Sequence, residues 1–402
     1  MIGERISIEN ARQLVLDQVV PVCAEEVGLD DALGRVLAED ATAPNDVPPF
    51  ASSSMDGYAL LSADTQDPPV ELRIIGESRA GTPTDVRVEP GTAIRISTGA
   101  PVPAGADAIV RQELTRAGEE TVTVNEAVRV GNDVRFAGED IASGTVILRA
   151  GTLVGSPEIG VLASVNIPRP RVARRPRVAL IGTGDELVEP GRELEPGEIR
   201  DSNGPALTAA VRTAGGEVCL RERVGDDRQA TIAKLGAAMD GVDILITCGG
   251  VSVGPHDHVR PALEALGARE VIARVSLKPG GQVCFYVARD GTLVFALPGN
   301  PGSALTAFRV LVVPALYALQ GRSYKQNTVR GIAGADLPGT IGRATVVRCN
   351  AEMQDDGWHV TPNGAQGSHI LTSMLGLPAL ALVPEDRELI PAGEAVDIEF
   401  VG

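Results

Sequence analysis

The sequence predicts a multidomain protein of mixed α/β and β structure, and three observations carry this prediction. Apolar strands alternate with helical segments over residues 175–325, which is typical of a doubly wound parallel sheet. Short β-branched runs between Gly, Pro and Asp turns fill residues 52–147, and similar runs return over residues 326–402. A length of 402 residues allows roughly two to four domains.

Helices are predicted at the start of the chain and again after the first β-rich part. Ser7 can cap a helix that runs through Leu16, and a second helix is expected over residues 29–38. A third begins at Ser156, where Pro157 occupies the first turn. We expect these helices to form one helical domain, residues 1–51 and 148–174, into which residues 52–147 are inserted.

The inserted and C-terminal β domains are predicted from short runs of strand-forming residues. In the insertion these runs cover residues 72–75, 93–96, 108–110 and 121–124. In the C-terminal domain they cover residues 344–348, 358–360, 379–383 and 395–400.

The central domain, residues 175–325, carries the strongest periodic signal. Continuous apolar runs predict strands that are buried on both faces. Runs of this kind cover residues 178–181, 244–247 and 293–297, and a further strand is predicted at residues 218–221. The predicted helices are 207–214, 228–239, 261–266 and 304–317. Residues 304–319 are the longest apolar stretch, but Arg309 and Pro314 interrupt it, so a buried helix is expected rather than a membrane span.

Charge and cysteine content exclude several classes of function. The chain has 36 basic and 53 acidic residues and a formal net charge of −17, which argues against nucleic-acid and anionic-membrane partners. Its five cysteines include no C-x-x-C pair, and residues 1–9 are too polar for a signal peptide. A cytoplasmic protein with reduced thiols is therefore expected.

Three predicted strands end in glycine-rich loops, at residues 182–186, 248–254 and 298–303. Ligands of open parallel sheets bind beyond the carboxyl ends of the strands, where glycine lets the backbone approach closely. The third loop leads into a helix with Asn300 as its cap, so free N–H groups there could face an anion. Candidate binding residues are Gly184, Asp185, Gly249, Gly250, Ser252, Gly254, Pro298, Gly299, Asn300, Pro301 and Ser303.

Acidic residues gather at the same strand ends and suggest a magnesium site that shares the bound phosphate. They are Asp185, Glu186, Asp226, Asp227 and Asp257. From spacing alone, solvated loop charge is an equally good interpretation. A zinc site at His256 and His258 is disfavoured because no third ligand is identifiable. A Walker A sequence and the third glycine of a dinucleotide fingerprint are both missing.

Taken together, these segments resemble the MoeA/gephyrin family of molybdopterin molybdenumtransferases over nearly the whole chain. The motifs are residues 54–59 (SMDGYA), 97–103 (STGAPVP), 135–141 (RFAGEDI), 183–187 (TGDEL), 201–203 (DSN), 249–254 (GGVSVG) and 297–301 (LPGNP), with 367–369 (GSH) and Ser373 near the C-terminus.

The resemblance implies an elongated helical domain, an inserted β domain, a molybdopterin-binding α/β domain and a C-terminal β-barrel. It implies a homodimer in which Asp56, Thr98 and Asp140 of one subunit reach the pocket of the other. The implied catalytic residues are Asp56, Asp140, Glu186, Asp226 and Asp257; Asp185, Glu186 and Asp257 would bind magnesium, and Thr98 and Lys278 would bind substrate.

The implied reaction inserts molybdate into adenylylated molybdopterin and releases AMP. Molybdopterin adenylyltransferase and apo-molybdoenzymes are the candidate protein partners. Three alternatives remain: a paralogue that binds the adenylate but transfers metal poorly, a scaffold, and a hydrolase of another nucleotide pyrophosphate.

Two positions depart from the family pattern. Gly281 replaces a lysine, and Cys248 replaces a small hydroxyl residue. If the lysine supplies affinity for molybdate, a Gly281→Lys substitution should lower the molybdate concentration needed for half-saturation.

Overall fold

The computed structural model describes residues 5–251, 257–324, 328–376 and 379–401. The chain forms two compact units. The insertion unit comprises residues 26–33 and 39–171, and the sheet unit comprises residues 1–25, 34–38 and 172–402. The multidomain α/β plus β fold class is confirmed; the exact domain boundaries stay a prediction.

The insertion unit is built on a mixed six-stranded sheet. All four predicted runs are strands, and the order across the sheet is β4-β1-β3-β2-β6-β5, with only β2 and β3 parallel. The strands are β1 (Gly57–Leu60), β2 (Val70–Ser78), β3 (Thr92–Ile96), β4 (Ala108–Arg111), β5 (Thr115–Ala117) and β6 (Thr121–Val124). Their apolar side chains form the core of this unit.

The insertion unit has two α-helices, of which one is shorter than predicted. The helix Leu29–Ala32 covers only four of the ten residues expected, because Leu33 is extended and Gly34 has a φ of +71°. The helix Ser156–Ser164 is confirmed, and the Gly155 N–H at its start donates to Glu158 Oε2 at 2.9 Å.

The sheet unit contains the predicted parallel sheet, extended by two antiparallel strands. The order is β8-β7-β9-β12-β11-β10; the first four strands are parallel, and β11 and β10 are antiparallel to their neighbours. The strands are β7 (Arg177–Thr183), β8 (Glu217–Val224), β9 (Ile244–Cys248), β10 (Arg269–Ile272), β11 (Cys284–Val287) and β12 (Leu293–Leu297). Every residue of β9 and β12 is buried, as the continuous apolar runs predicted.

Helices cover the sheet at the predicted positions, with ends shifted by a few residues. Asp227 caps one of them, since its Oδ1 accepts a hydrogen bond from the Ala230 N–H at 2.7 Å. The helices are Ile8–Leu16, Asn203–Thr213, Arg228–Ala238, Val259–Ala265 and Pro301–Leu319. Ser7 caps the first, as predicted.

The helix Pro301–Leu319 lies in the hydrophobic core. Within the described part of the chain it alone is long and apolar enough to cross a membrane, and 78% of its most apolar window is buried, as expected for a core helix. A π-helical turn, Phe308–Val312, precedes Pro314, which has no N–H to donate to the Val310 carbonyl. Arg12 Nε donates to that carbonyl at 3.0 Å instead.

The C-terminal part of the sheet unit is a closed five-stranded barrel, which confirms the implied β-barrel. The strands pair in the closed order β14-β15-β13-β17-β16-β14. They are β13 (Thr328–Ala333), β14 (Ala344–Gln354), β15 (Gly357–Pro362), β16 (Ala379–Val383) and β17 (Ala395–Phe400). Of these five barrel strands, β13 alone was not predicted.

Candidate functional site

The carboxyl ends of β7, β9 and β12 surround a cavity of about 490 Å³, which we call the acidic cavity. It gathers most of the residues that the glycine-rich loops and the acidic cluster suggested. Predicted residues that line it are Gly184, Glu186, Asp226, Gly249, Gly250, Asp257, Pro298, Gly299, Asn300 and Pro301. Ser252, Gly254 and His256 lie outside the described residues.

The glycines of the second loop are required by the backbone. Gly249 and Gly250 have φ values of +97° and +62°. A Cβ atom on Gly249 would also lie 2.6 Å from Thr183 Oγ1, so a side chain at this position would close the gap between the first and second loops. Glycine at these positions therefore lets the second loop lie close against the first.

The carboxylates of the acidic cavity come from separate loops. Glu186 follows β7 and Asp226 follows β8. Asp185 does not line the cavity; its Oδ1 accepts a hydrogen bond from the Asp226 N–H at 3.2 Å and so holds the two loops together. Asp227 is a helix cap, not a candidate ligand.

These side chains fit a magnesium ion shared with substrate better than an all-protein metal site. Among the described residues, no group of three or more His, Cys, Asp or Glu side chains is arranged to hold a metal ion. Magnesium commonly takes one or two carboxylates and completes its shell with phosphate oxygens and water, and oxygen donors are what Glu186, Asp226 and Asp257 offer.

Two side chains that line the acidic cavity hold the third loop in place. Cys248 Sγ donates to the Pro298 carbonyl at 3.3 Å, and Asn203 Nδ2 donates to the Gly299 carbonyl at 2.6 Å. Burial raises the pKa of the Cys248 thiol to about 12, so it stays protonated at neutral pH. The pattern of glycines and carboxylates did not single out Asn203, which was noted only through the resemblance.

From its other side, the third loop is attached to the barrel. Asn300 stands at the N-terminus of the helix, as predicted, but its side chain does not cap it; Nδ2 donates to Ser368 Oγ at 3.1 Å. The Gly302 N–H donates to the Ser368 carbonyl at 2.9 Å. One of the helix N–H groups expected to face an anion is therefore already used.

A second cavity, of about 550 Å³, lies between the sheet and the barrel, and we call it the basic cavity. Its cationic lining residues are Arg5, Arg274, Lys278, Arg343 and Arg348. Pro298, Asn300 and Gln282 line both cavities. Lys278 and Ser303, predicted to bind substrate with the other loop residues, belong to this cavity, and Lys278 Nζ donates to Thr340 Oγ1 at 2.8 Å.

Arg348 is the most unusual group in the basic cavity. It lies within β14, is 2% exposed and forms no ion pair among the described residues. Its Nε donates to Ser373 Oγ at 2.8 Å and its Nη2 donates to the Gly367 carbonyl at 3.1 Å, whereas Nη1 has no partner in the described structure. Burial lowers the pKa of this guanidinium, which nevertheless stays charged. A buried cation with an unused donor is suited to binding an anion.

The environment of Gly281 overturns the expectation that Gly281→Lys would improve molybdate binding. A Cβ atom at Gly281 would lie 2.6 Å from the Val275 carbonyl oxygen and still closer to the Leu277 carbonyl oxygen. Both contacts are with backbone atoms, which cannot move aside as a flexible side chain can. A lysine therefore does not fit here, and the cavity draws its positive charge from other residues.

The insertion unit brings Asp56 and Thr98 together. Asp56 Oδ1 accepts hydrogen bonds from the Thr98 N–H at 2.6 Å and from Thr98 Oγ1 at 2.9 Å, and these bonds hold the pKa of Asp56 below its usual value. Asp140 is exposed, with its backbone N–H bonded to the Val47 carbonyl at 3.0 Å. The implied roles of all three residues at the pocket of another subunit stay predictions.

Three family models match consecutive parts of the chain. The MoeA N-terminal region (domains I and II) matches residues 6–166, a probable molybdopterin-binding domain matches residues 179–318, and the MoeA C-terminal region (domain IV) matches residues 330–401.

Whole-length relatives agree with these matches. Molybdopterin molybdenumtransferase of Staphylococcus epidermidis strain RP62A is 33% identical, and that of Staphylococcus aureus strain Mu50 is 32% identical; each match covers 98% of this chain and 95% of the relative. The crystal structure of the molybdopterin biosynthesis MoeA protein from Pyrococcus horikoshii is similar, with 30% identity, a TM-score of 0.86, and coverage of 99% of this chain and 100% of that one.

Proposed function

The chain belongs to the MoeA family, and we propose that it inserts molybdate into adenylylated molybdopterin and releases AMP. It is an enzyme of the molybdopterin molybdenumtransferase type and acts in molybdenum cofactor biosynthesis. The observation that carries the proposed reaction is the pair of cavities of opposite charge that share Pro298, Asn300 and Gln282.

In this proposal the acidic cavity binds the adenylylated molybdopterin. The glycine loops bring backbone N–H groups close to the phosphates, and the start of the helix at Pro301 adds a favourable partial charge. Glu186 and Asp257, which line the cavity, would hold a magnesium ion, whose charge would neutralise phosphate oxygens. Asp185, in the same loop as Glu186, would keep the loop of Asp226 beside them. Asn203 and Cys248 would hold the third loop in place through their hydrogen bonds to its carbonyl groups.

In this proposal the basic cavity binds molybdate. Molybdate is a tetrahedral dianion, and Arg348 offers it a desolvated guanidinium with an unused donor. Lys278 and Arg343 add positive charge in the same cavity. The shared wall brings the oxyanion beside the dithiolene of the bound pterin, so the main contribution of the protein is to position the two reactants.

Release of AMP requires cleavage of the phosphoanhydride bond by water. In this role Glu186 or Asp226 would accept a hydrogen bond from the attacking water and hold it in line with the phosphorus atom. The P–O bond to the leaving phosphate breaks, the water oxygen joins the adenylate phosphorus, and the proton passes to the solvent. The products are AMP and molybdopterin that carries the metal.

We also propose that the enzyme works as a cytoplasmic homodimer. Asp56, Thr98 and Asp140 would complete the acidic cavity of the second subunit. In the insertion unit, the large apolar side chains of Phe50, Met55 and Phe136 are exposed near these residues in the sequence, which favours a protein partner for that surface. Molybdopterin adenylyltransferase and apo-molybdoenzymes are the expected partners for delivery and receipt of the cofactor.

The proposed reaction can be tested with purified protein, adenylylated molybdopterin, molybdate and magnesium. We expect stoichiometric AMP and a product that activates an apo-molybdoenzyme. Binding of the adenylate without AMP would favour a paralogue or scaffold. AMP without molybdate dependence or active cofactor would favour a pyrophosphate hydrolase, and either result would overturn the insertion reaction.

A further inference from the structure

The acidic cavity contains one basic side chain that no glycine or carboxylate motif pointed to. Glu186, Asp201, Asp226 and Asp257 line the cavity, and Arg200 is the only Lys or Arg among its described lining residues. A substrate with several phosphate charges would meet repulsion from these carboxylates. A cation in this cavity would therefore offset the repulsion and favour substrate binding.

The backbone on both sides of Arg200 is fixed beside Glu186. Residues Ile199–Arg200 pair in parallel with residues Leu187–Val188. The Ile199 N–H donates to the Glu186 carbonyl at 2.8 Å, and the Asp201 N–H donates to the Val188 carbonyl at 2.7 Å. Arg200 thus has a defined position next to a candidate catalytic carboxylate.

The charge of Arg200 is not neutralised by a neighbouring carboxylate. In the same region Arg192 pairs with Glu198, while Arg221 and Arg223 both pair with Glu189. Arg200 has no such ion pair among the described residues; its Nη2 donates to the Arg192 carbonyl at 3.0 Å. A guanidinium has five N–H donors, so this contact orients the group and leaves other donors for a ligand.

We propose that Arg200 is a substrate-binding residue of the acidic cavity, which donates hydrogen bonds to oxygen atoms of the phosphoanhydride of the nucleotide-linked substrate. This inference rests on the proposed function. The planar guanidinium can contact two phosphate oxygens at once, which an ammonium group cannot do. Because these oxygens are charged both before and during the reaction, Arg200 should act mainly on substrate affinity.

The test compares Arg200→Ala, Arg200→Lys and the matched control Arg192→Ala. The control removes the same charge from an exposed side chain of the same segment and keeps the carbonyl that Arg200 contacts. The dissociation constant of adenylylated molybdopterin is measured by calorimetry without molybdate, and AMP release is measured separately at saturating substrate.

We expect Arg200→Ala to weaken adenylate binding about tenfold, with a rate at saturation within about twofold of wild type. Arg200→Lys should recover part of the affinity, and Arg192→Ala should bind within about twofold of wild type. Wild-type affinity in Arg200→Ala, or an equal loss in Arg192→Ala, would overturn the inference.

The binding measurement also separates this inference from the proposed function. A wild type that binds the adenylate through Arg200 but releases no AMP would support the role of Arg200 and contradict the insertion reaction. A wild type that turns over normally while Arg200→Ala binds normally would leave the reaction intact and contradict the role of Arg200. A wild type that does not bind the adenylate would contradict both.

Discussion

The acidic and basic cavities are neighbours in the sheet unit, yet they offer opposite environments. The acidic cavity has four carboxylates and one arginine, whereas the basic cavity has four arginines and one lysine. Their common wall consists of Pro298, Asn300 and Gln282. The opposite charges indicate that the two cavities bind different ligands. The basic cavity favours a free dianion, whereas the acidic cavity repels one and suits a substrate that arrives with a metal cation.

The two cavities also differ in how their charges are held. Glu186 and Asp226 of the acidic cavity are exposed on loops at the strand ends, where loops can adjust to a ligand. Arg348 of the basic cavity lies within a barrel strand and is buried. A buried charge is weakly screened by salt, whereas the potential of an exposed cluster decays over roughly 8 Å at physiological ionic strength. Molybdate affinity should therefore be less sensitive to salt than adenylate affinity.

The largest effect is expected from Glu186→Gln, which tests whether the acidic cavity does the chemistry. The change keeps the shape of the side chain and removes the carboxylate that would orient water, so AMP release should fall about 100-fold or more. The melting temperature should change little. Glu193→Gln, on an exposed side chain, is the control. Wild-type turnover in Glu186→Gln would mean that this carboxylate is only surface charge.

The second largest effect is expected from Arg348→Gln, which tests whether the basic cavity binds molybdate. Arg348→Gln should raise the half-saturating molybdate concentration roughly 5- to 150-fold, since one charge-assisted contact in a desolvated site contributes about 1–3 kcal/mol. Adenylate binding should be unchanged. Arg330→Gln removes an exposed arginine of the barrel and serves as control. A parallel loss of adenylate affinity in Arg348→Gln would contradict the division between the cavities.

A smaller effect on stability is expected at Gly281, on the wall of the basic cavity. Gly281→Ala should lower the free energy of unfolding by about 1–3 kcal/mol, because the added methyl group meets two backbone carbonyls. Gly160→Ala, in an open position of the helix Ser156–Ser164, should be neutral or stabilise by up to about 1 kcal/mol. Denaturant titration measures both changes; equal stability of the two variants would show that the Gly281 loop can move.

The smallest effect concerns a thiol of the acidic cavity. Because burial raises the pKa of Cys248 to about 12, its thiolate is scarce at pH 8, and iodoacetamide should modify it far more slowly than the exposed Cys23 and Cys219. Mass spectrometry after limited labelling measures the order of reaction. Early modification of Cys248 would mean that the acidic cavity opens to solvent more readily than its structure indicates.

The sequence by itself determined the elements of the fold and the family. Continuous apolar runs predicted β7, β9 and β12, because a strand buried on both faces carries mostly apolar side chains. The set of motifs by itself indicates the MoeA family. β1, β5, β10, β11 and β13 were not predicted, because short runs such as residues 284–287 have no distinctive period.

Only the tertiary structure decided how the candidate residues divide between two cavities. The sequence groups Lys278 and Ser303 with the other loop residues, but both line the basic cavity. No sequence pattern distinguishes the buried Arg348 from other arginines of β-strands. The lack of space at Gly281 depends on the carbonyl groups of Val275 and Leu277. Periodicity reports which side of one element is buried, whereas burial of a charge and room for a side chain depend on distant segments that meet only in the folded chain.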